Sequence, residues 1–301
     1  MYRYKITVLT PTYNRANLIR KLYNSLLLQN TTDFQWLIID DGSTDLTSEV
    51  VKGFQQENKI KIDYYYKPNG GKHTALNYSH PYIDGELLFI VDSDDYLPNN
   101  AISEILAYWE QYKGKQGIRC MTFLKGNEKG KSLSGAFPNE NVISNTIDFR
   151  INMDIRGDCC EVLLSDVFKE YRFPVFDNEK FVPEGCLWNY IGFRYNTVYI
   201  NKILYYAEYL DGGLTRSGRK LRINNPNGCM THCLSFFEKK NNRTVNLKKI
   251  IKESILFSCY GKFAGYNRKK IISLGNNERW IRINYFLGVI LYSYWKQKYS
   301  K

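Results

Sequence analysis

Leu87-Leu88-Phe89-Ile90-Val91, running straight into Asp92-Ser93-Asp94-Asp95, is the stretch on which the fold turns. Five apolar residues in a row describe a strand buried on both faces, as central strands of parallel sheets are. The switch to carboxylates puts charge at its carboxyl end, where an open α/β sheet takes its ligands. Two Asp separated by one residue can converge on a hard cation and its diphosphate ligand, because Mg²⁺ and Mn²⁺ prefer oxygen donors. The other reading of the same residues is an N-terminal cap for the helix opened by Pro98, whose Ile102, Ile105, Leu106 and Trp109 share one side.

The pattern repeats upstream. Lys5 to Leu9 reads as a strand that ends in Pro11 and the polar turn Thr12-Tyr13-Asn14-Arg15. Leu18, Leu22 and Leu26, widened by Ile19 and Leu27, give residues 16–29 the period of an amphipathic helix. Trp36 to Ile39 is a second buried strand, cut off by Asp40-Asp41-Gly42-Ser43-Thr44-Asp45, and Leu46, Val50, Val51 and Phe54 mark the next helix. Ile60 to Tyr66 is a third strand, and Gly70 to Ser79 a glycine-led turn into a short helix. Such alternation predicts a mostly parallel, doubly wound α/β sheet with polar strand ends gathered on one edge.

Asp41 offers that edge an acceptor for a base N–H, with a cap and turn as the plainer alternative. Asn69-Gly70-Gly71-Lys72-His73 offers backbone donors and a fixed cation to a phosphate-bearing ligand, although most Gly-Gly pairs are only turns. His73 reads as a surface or hydrogen-bonded histidine rather than a catalyst.

Beyond the strand at 120–124 the pattern weakens. Residues 125–134 read as an exposed hairpin or loop, 157–215 carry short mixed elements, and from about Arg222 the chain is helical and basic. With 44% hydrophobic residues, 301 residues can bury a full core in one large domain or two modest ones. No apolar run reaches the roughly eighteen residues of a membrane span, and the start lacks a signal-peptide core, so neither a spanning nor a secreted protein is expected. The seven scattered cysteines read as reduced, buried thiols; Cys229, His232 and Cys233 lack the second ligand pair of a zinc site. A net charge of +12 suits anionic partners, whether nucleic acid, acidic lipid or phosphorylated substrate.

Taken in order, Thr10-Pro11-Thr12-Tyr13-Asn14-Arg15, Asp40 to Asp45, Asn69 to Asn77 and Val91 to Asp95 resemble the signature of family 2 glycosyltransferases with the GT-A fold. Gly157-Asp158, Phe181 to Gly185, Trp188-Asn189 and Tyr209 to Thr215 resemble the acceptor half of bacterial polysaccharide-assembly members. The resemblance implies a GT-A catalytic domain over 1–215, with a nucleotide-sugar half to residue 124 and an acceptor half beyond it, and a helical extension over 216–301. It implies a UDP-sugar donor held by Thr10, Pro11, Thr12, Tyr13, Arg15, Asp41, Asn69, Gly70, Lys72, Asp92 and Ser93. Asp92 and Asp94 would form the DXD pair that holds Mn²⁺ or Mg²⁺ on the diphosphate, the metal acting as Lewis acid. Inversion in one displacement requires a carboxylate base, which falls on Glu184 with Asp158 in reserve. Many relatives have Glu-Asp where this chain has Glu184-Gly185, and Leu76 stands where many have Arg.

The basic, aromatic segment Arg279 to Lys296 is too short in apolar residues to span a bilayer. It fits either an interfacial helix at the cytoplasmic membrane face, reaching lipid-linked acceptors of cell-surface polysaccharide, or a helix packed on the core. Two other functions fit parts of the sequence. A sugar-phosphate nucleotidyltransferase would share the metal-binding carboxylates but needs a Gly- and Lys/Arg-rich loop that is absent after Leu9. A basic nucleic-acid-binding module fits the charge but not an acidic strand-end edge, so no nucleic acid is expected as partner.

Overall fold

The computed structural model describes residues 2–133, 135–207, 214–276 and 278–299, with 214–217 by their backbone alone. Part of the stretch Tyr209 to Thr215 therefore lies outside the described residues. The chain divides into two compact units. One comprises Met1–Asn145, Ile155–Arg172 and Tyr195–Tyr209; the other comprises Thr146–Asp154, Phe173–Arg194 and Leu210–Lys301.

The first unit runs β1 (Tyr4–Thr12), α1 (Ile19–Leu27), β2 (Phe34–Asp40), α2 (Thr47–Glu57), β3 (Ile62–Tyr66), α3 (Lys72–Ser79), β4 (Gly85–Ile90), α4 (Ala101–Tyr112), β5 (Ile118–Gly126), β6 (Val142–Ser144), β7 (Cys159–Leu164), α5 (Ser165–Lys169) and, after an excursion into the second unit, β8 (Asn196–Tyr206). Among the described residues these strands form one sheet in the order β3-β2-β1-β4-β7-β5-β8-β6. β3, β2, β1 and β4 are parallel neighbours, β7 runs antiparallel to both β4 and β5, and β8 is parallel to β5. This is the mostly parallel α/β sheet expected from the sequence.

Several strands run beyond the apolar runs that predict them, β1 past Leu9, β2 past Ile39 and β5 past Leu124. β1 continues through Pro11 and Thr12, paired with Ile39 and Asp40 of β2. Proline is tolerated there because pairing to β4 ends at Leu9 and Ile90, so no ladder on that side needs its missing N–H. The helices cover an apolar sheet: the rings of Tyr23, Trp36 and Phe54 stack between α1, β2 and α2, with centroids 3.9 Å apart for Tyr23 and Phe54. Burying each such side chain contributes on the order of 2 kcal/mol.

The second unit is helical: α6 (Gly185–Arg194), α7 (Leu214–Ile223), α8 (Pro226–Ser235), α9 (Leu247–Phe263), α10 (Arg268–Leu274) and α11 (Arg279–Tyr299), with a π-helical turn at Thr146–Asn152. Asn246 and Asn267 cap α9 and α10, their side chains accepting from Lys249 N and Lys270 N. The Glu179 carboxylate accepts from Asn227 N and Gly228 N, each at 2.9 Å, at the start of α8. Cys229, Cys233, Phe257, Cys259, Tyr260, Ile281 and Trp295 build the core. All seven cysteines are buried and free, as the sequence suggested. Among the described residues no helix is long and apolar enough to cross a membrane.

Candidate nucleotide-sugar site

Because β7 is antiparallel to both of its neighbours, β5 and β8 run in the same direction as β1 and β4. Their carboxyl ends reach one edge, and sequence order reverses between β1 and β4, the point where open α/β sheets bind ligands. Asp158 also comes to this edge, since Cys159 at the start of β7 pairs with Leu124 near the end of β5.

Two strand-end loops are tied together first. Asn14, at φ +53°, donates its N–H to Ser43 Oγ at 2.9 Å and accepts Thr44 N–H on its side chain at 2.8 Å. The Arg15 N–H goes to Thr47 Oγ1 at 3.0 Å. Asp40 is consumed by structure, accepting from Tyr64 Oη at 2.6 Å and Ser43 N at 2.7 Å.

Asp41 organises the next loop. Its carboxylate, 3% exposed, accepts from Lys67 Nζ at 2.5 Å, Gly71 N at 2.6 Å, Gly70 N at 3.0 Å and Asn69 Nδ2 at 3.2 Å. The glycine N–H groups that the sequence offered to a phosphate are thus turned inward onto Asp41. Gly42 has φ +87°, and a Cβ on it would lie 2.6 Å from Asn69 N, so glycine is required for the two loops to meet.

The carboxylates after β4 form the third group. Asp92 Oδ1 accepts from Lys72 Nζ at 2.5 Å, and the two side chains are 35% and 24% exposed. Burial pushes the Asp92 carboxyl up, but Lys72, Lys125 and Arg15 outweigh it and leave the group below the usual carboxylate range. Asp94 is half-buried beside it. Asp95 is 7% exposed and is pushed up to about 6, by burial first and by Asp92 and Asp94 after it, against the lowering hydrogen bond from Tyr205. The Tyr205 hydroxyl joins the two ends of the cluster, donating to Asp95 Oδ2 at 2.7 Å and accepting from Asp92 N at 3.0 Å. Lys125 Nζ stands 4.0 Å from the centre of the Tyr205 ring; Asp92 and Asp95 hold its ammonium above the usual lysine range despite burial.

The expected residues therefore fall into distinct places. Tyr13, Arg15, Asn69, Gly70, Lys72, Asp92 and Asp94 are exposed or half-buried on the loops of this edge, whereas Ser93 and Pro11 are buried. Thr10 does not face the loops: it is fully buried and its Oγ1 accepts from Trp36 Nε1 at 3.0 Å. Thr12 Oγ1 is buried without a hydrogen-bond partner. Leu76 is core. His73 is neither on the surface nor hydrogen-bonded: it is 2% exposed, neither ring nitrogen has a partner, and burial pushes it down to about 4. Lys67, Lys125 and Tyr205 escaped the sequence reading, and Asp95, although part of the strand-end motif, had no role of its own there. Strand-end logic could have found Lys125 and Tyr205 had β5 and β8 been recognised as parallel.

Glu184 belongs to the second unit, half-buried at the head of α6, where its carbonyl accepts from Leu187 N at 2.9 Å. The glycine after it has a steric cause: a Cβ at 185 would lie 2.4 Å from His232 Nε2. That imidazole is pushed down to about 3 by burial, with Arg222 and Lys249 adding to the shift, and is neutral at pH 7.

The donor set fits a hard divalent ion. Asp92 is ionised and partly exposed, and Asp94 lies beside it with oxygen donors. Among the described residues no group of three or more His, Cys, Asp or Glu could hold an ion. A carboxylate pair completed by substrate phosphates is the arrangement Mg²⁺ commonly accepts.

Residues 7–172, more than half of the chain, match the glycosyl transferase family 2 model, and the protein belongs to that family. It is 36% identical over 124 residues to the uncharacterized glycosyltransferase MG060 of Mycoplasma genitalium, an overlap of 40% of each chain. It is 31% identical over 110 residues, 36% of this chain and 19% of the relative, to the poly(ribitol-phosphate) beta-N-acetylglucosaminyltransferase TarS of Staphylococcus aureus. The chain spans about two-fifths or less of the length of the curated relatives it matches. The crystal structure of S. aureus TarS 1-349 with UDP-GlcNAc superposes with a TM-score of 0.65 at 17% identity, over 98% of this chain and 92% of that one. The mannosyltransferase PcManGT of Pyrobaculum calidifontis, solved with GDP-Man and Mn²⁺, gives 0.58 at 15% identity, over 100% and 89%. The fold is the GT-A fold that the sequence motifs implied.

Proposed function

We propose that this protein transfers a sugar from a UDP-sugar to a hydroxyl of a polysaccharide or lipid-linked oligosaccharide, with inversion and with a divalent metal, at the cytoplasmic face of a membrane. The observation that carries the reading is the strand-end cluster of Asp92, Asp94 and Asp95 faced by Lys72, Lys125 and Arg15. Carboxylates and cations interleaved at a sheet's switch point suit a diphosphate that is itself met by a metal. The shared fold of TarS, solved with UDP-GlcNAc, supports a uridine donor.

Lys72, Lys125 and Arg15 would balance the diphosphate charge, while Asp92 and Asp94 would hold Mn²⁺ or Mg²⁺. Bound there, the ion supplies Lewis acidity to the departing diphosphate. The acceptor oxygen bonds to the anomeric carbon as the bond from that carbon to the diphosphate oxygen breaks, and the hydroxyl proton passes to a carboxylate. We assign that base to Glu184, with Asp158 as the alternative. Asp41 would act on the nucleoside by holding the Asn69–Gly71 turn against Gly42, since its oxygens already have donors. Incubation with UDP-sugars, Mn²⁺ and polyol-phosphate or oligosaccharide acceptors tests the whole reading. Release of UDP with formation of a glycosylated acceptor is expected; pyrophosphate release from UTP and a sugar 1-phosphate would refute it.

A further inference from the structure

Helix α11 has two apolar sides, and the fold uses one. Ile281, Asn284, Tyr285, Gly288 and Trp295 are buried in the second unit. Asn284 Nδ2 donates to Ser254 Oγ at 2.8 Å, and α9 approaches so closely that a Cβ at Gly288 would lie 2.4 Å from Ser258 Cβ. On the opposite side Ile283, Phe286, Leu287, Ile290 and Tyr294 recur at three- and four-residue steps and are between 50% and 65% exposed. At the α-helical rise the stripe is about 17 Å long. Contiguous apolar surface of this kind marks an interaction site.

Charge identifies the occupant. Residues 268–299 hold seven Lys or Arg and a single acid, Glu278. Arg279 and Arg282 precede the stripe, Lys296 and Lys298 follow it, and Arg268, Lys269 and Lys270 are exposed on α10. We propose that the outer face of α11 seats in the headgroup and acyl boundary of an anionic phospholipid bilayer, with the helix parallel to the surface. Five apolar side chains enter the boundary, and the flexible stems of Arg and Lys carry their charges up to the phosphates. A second copy would set the same cations against one another without counter-charge; an anionic headgroup layer neutralises them. The inference deepens the membrane placement proposed above and rests on it, not on the donor chemistry.

The test is sedimentation of the full chain with vesicles of phosphatidylcholine alone or with roughly one-third phosphatidylglycerol. UDP-induced thermal shift and light scattering are measured on the same samples. The wild type should bind the anionic vesicles about tenfold or more tightly than the neutral ones, and less as salt rises. Phe286→Glu and Ile290→Glu should each lower that binding about tenfold with an unchanged melting temperature and UDP shift, since neither side chain packs in the core. Binding that ignores phosphatidylglycerol or survives both substitutions would overturn the proposal, as would a dimer that the substitutions dissociate. Vesicle binding that persists in a protein without a UDP response would leave this inference standing and remove the donor reading.

Discussion

Substituting His80 by leucine should change how the protein's stability responds to acid. His80 is 4% exposed, its ring lies 4.9 Å from that of Phe168, and neither ring nitrogen has a hydrogen-bond partner. Burial pushes the imidazole down to about 4, and the nearby charges of Arg172 and Lys169 act in the same direction. The unfolded chain therefore takes up the proton first. The neutral ring's contribution is whole above pH 6.5 and is lost as pH falls toward 4, for a total of about 3 kcal/mol. Between pH 8 and pH 5 the loss is about 2 kcal/mol. Leucine has no proton to gain and no hydrogen bond to forfeit, so any packing difference it introduces is the same at both pH values and cancels. Urea unfolding followed by circular dichroism at pH 8 and pH 5 should show the variant losing about 2 kcal/mol less than the wild type. Equal losses in the two proteins would refute the assignment of a buried, neutral His80.

Asp94→Ala should abolish the Mn²⁺-dependent part of UDP-sugar stabilisation, worth about 2.7 kcal/mol at a hundredfold excess of ligand over Kd, as read by thermal shift; an undiminished shift would remove Asp94 from the metal site. Glu184→Gln should leave UDP-sugar binding intact and stop transfer in the UDP-release assay. Should only Asp158→Asn do so, the base lies at the β7 edge instead. Lys67→Met should destabilise the first unit by about 3–5 kcal/mol, because it leaves the buried Asp41 carboxylate without its counter-ion, and should weaken UDP affinity as well; an unchanged urea midpoint would show that the turn does not depend on that pair.

The parallel half of the sheet was legible because its code is local. Trp36 to Ile39 and Leu87 to Val91 are unbroken apolar runs ending in acids, and helical periods lie between them. What escaped is non-local. Lys125 and Tyr205 matter because β7, antiparallel and late in the chain, sets β5 and β8 to end beside Asp92, and no spacing in the sequence encodes that pairing. Likewise Asp41 reads as an acceptor awaiting a ligand until Lys67, Asn69, Gly70 and Gly71 fold back onto it. Gly185 looked like a departure from a motif; its cause is a histidine 47 residues away (232 − 185). The tail posed a choice between core packing and an outward face, and α11 has both, because one helix can divide a continuous apolar sequence between two sides.

Strand β7 lies between β4 and β5 although the ribosome makes it after both. A nascent chain that has emerged as far as Gly126 therefore carries two apolar strands whose facing edges cannot yet be satisfied, and direct pairing of β4 with β5 would shut β7 out. The sheet closes only when Cys159–Leu164 slots into the gap, and β8 must still add to the far side of β5. Until β7 is made the edges of β4 and β5 stay unpaired, and unpaired strand edges are the kind of surface on which incomplete chains associate, a vulnerability that belongs to the birth of the molecule and not to its finished form.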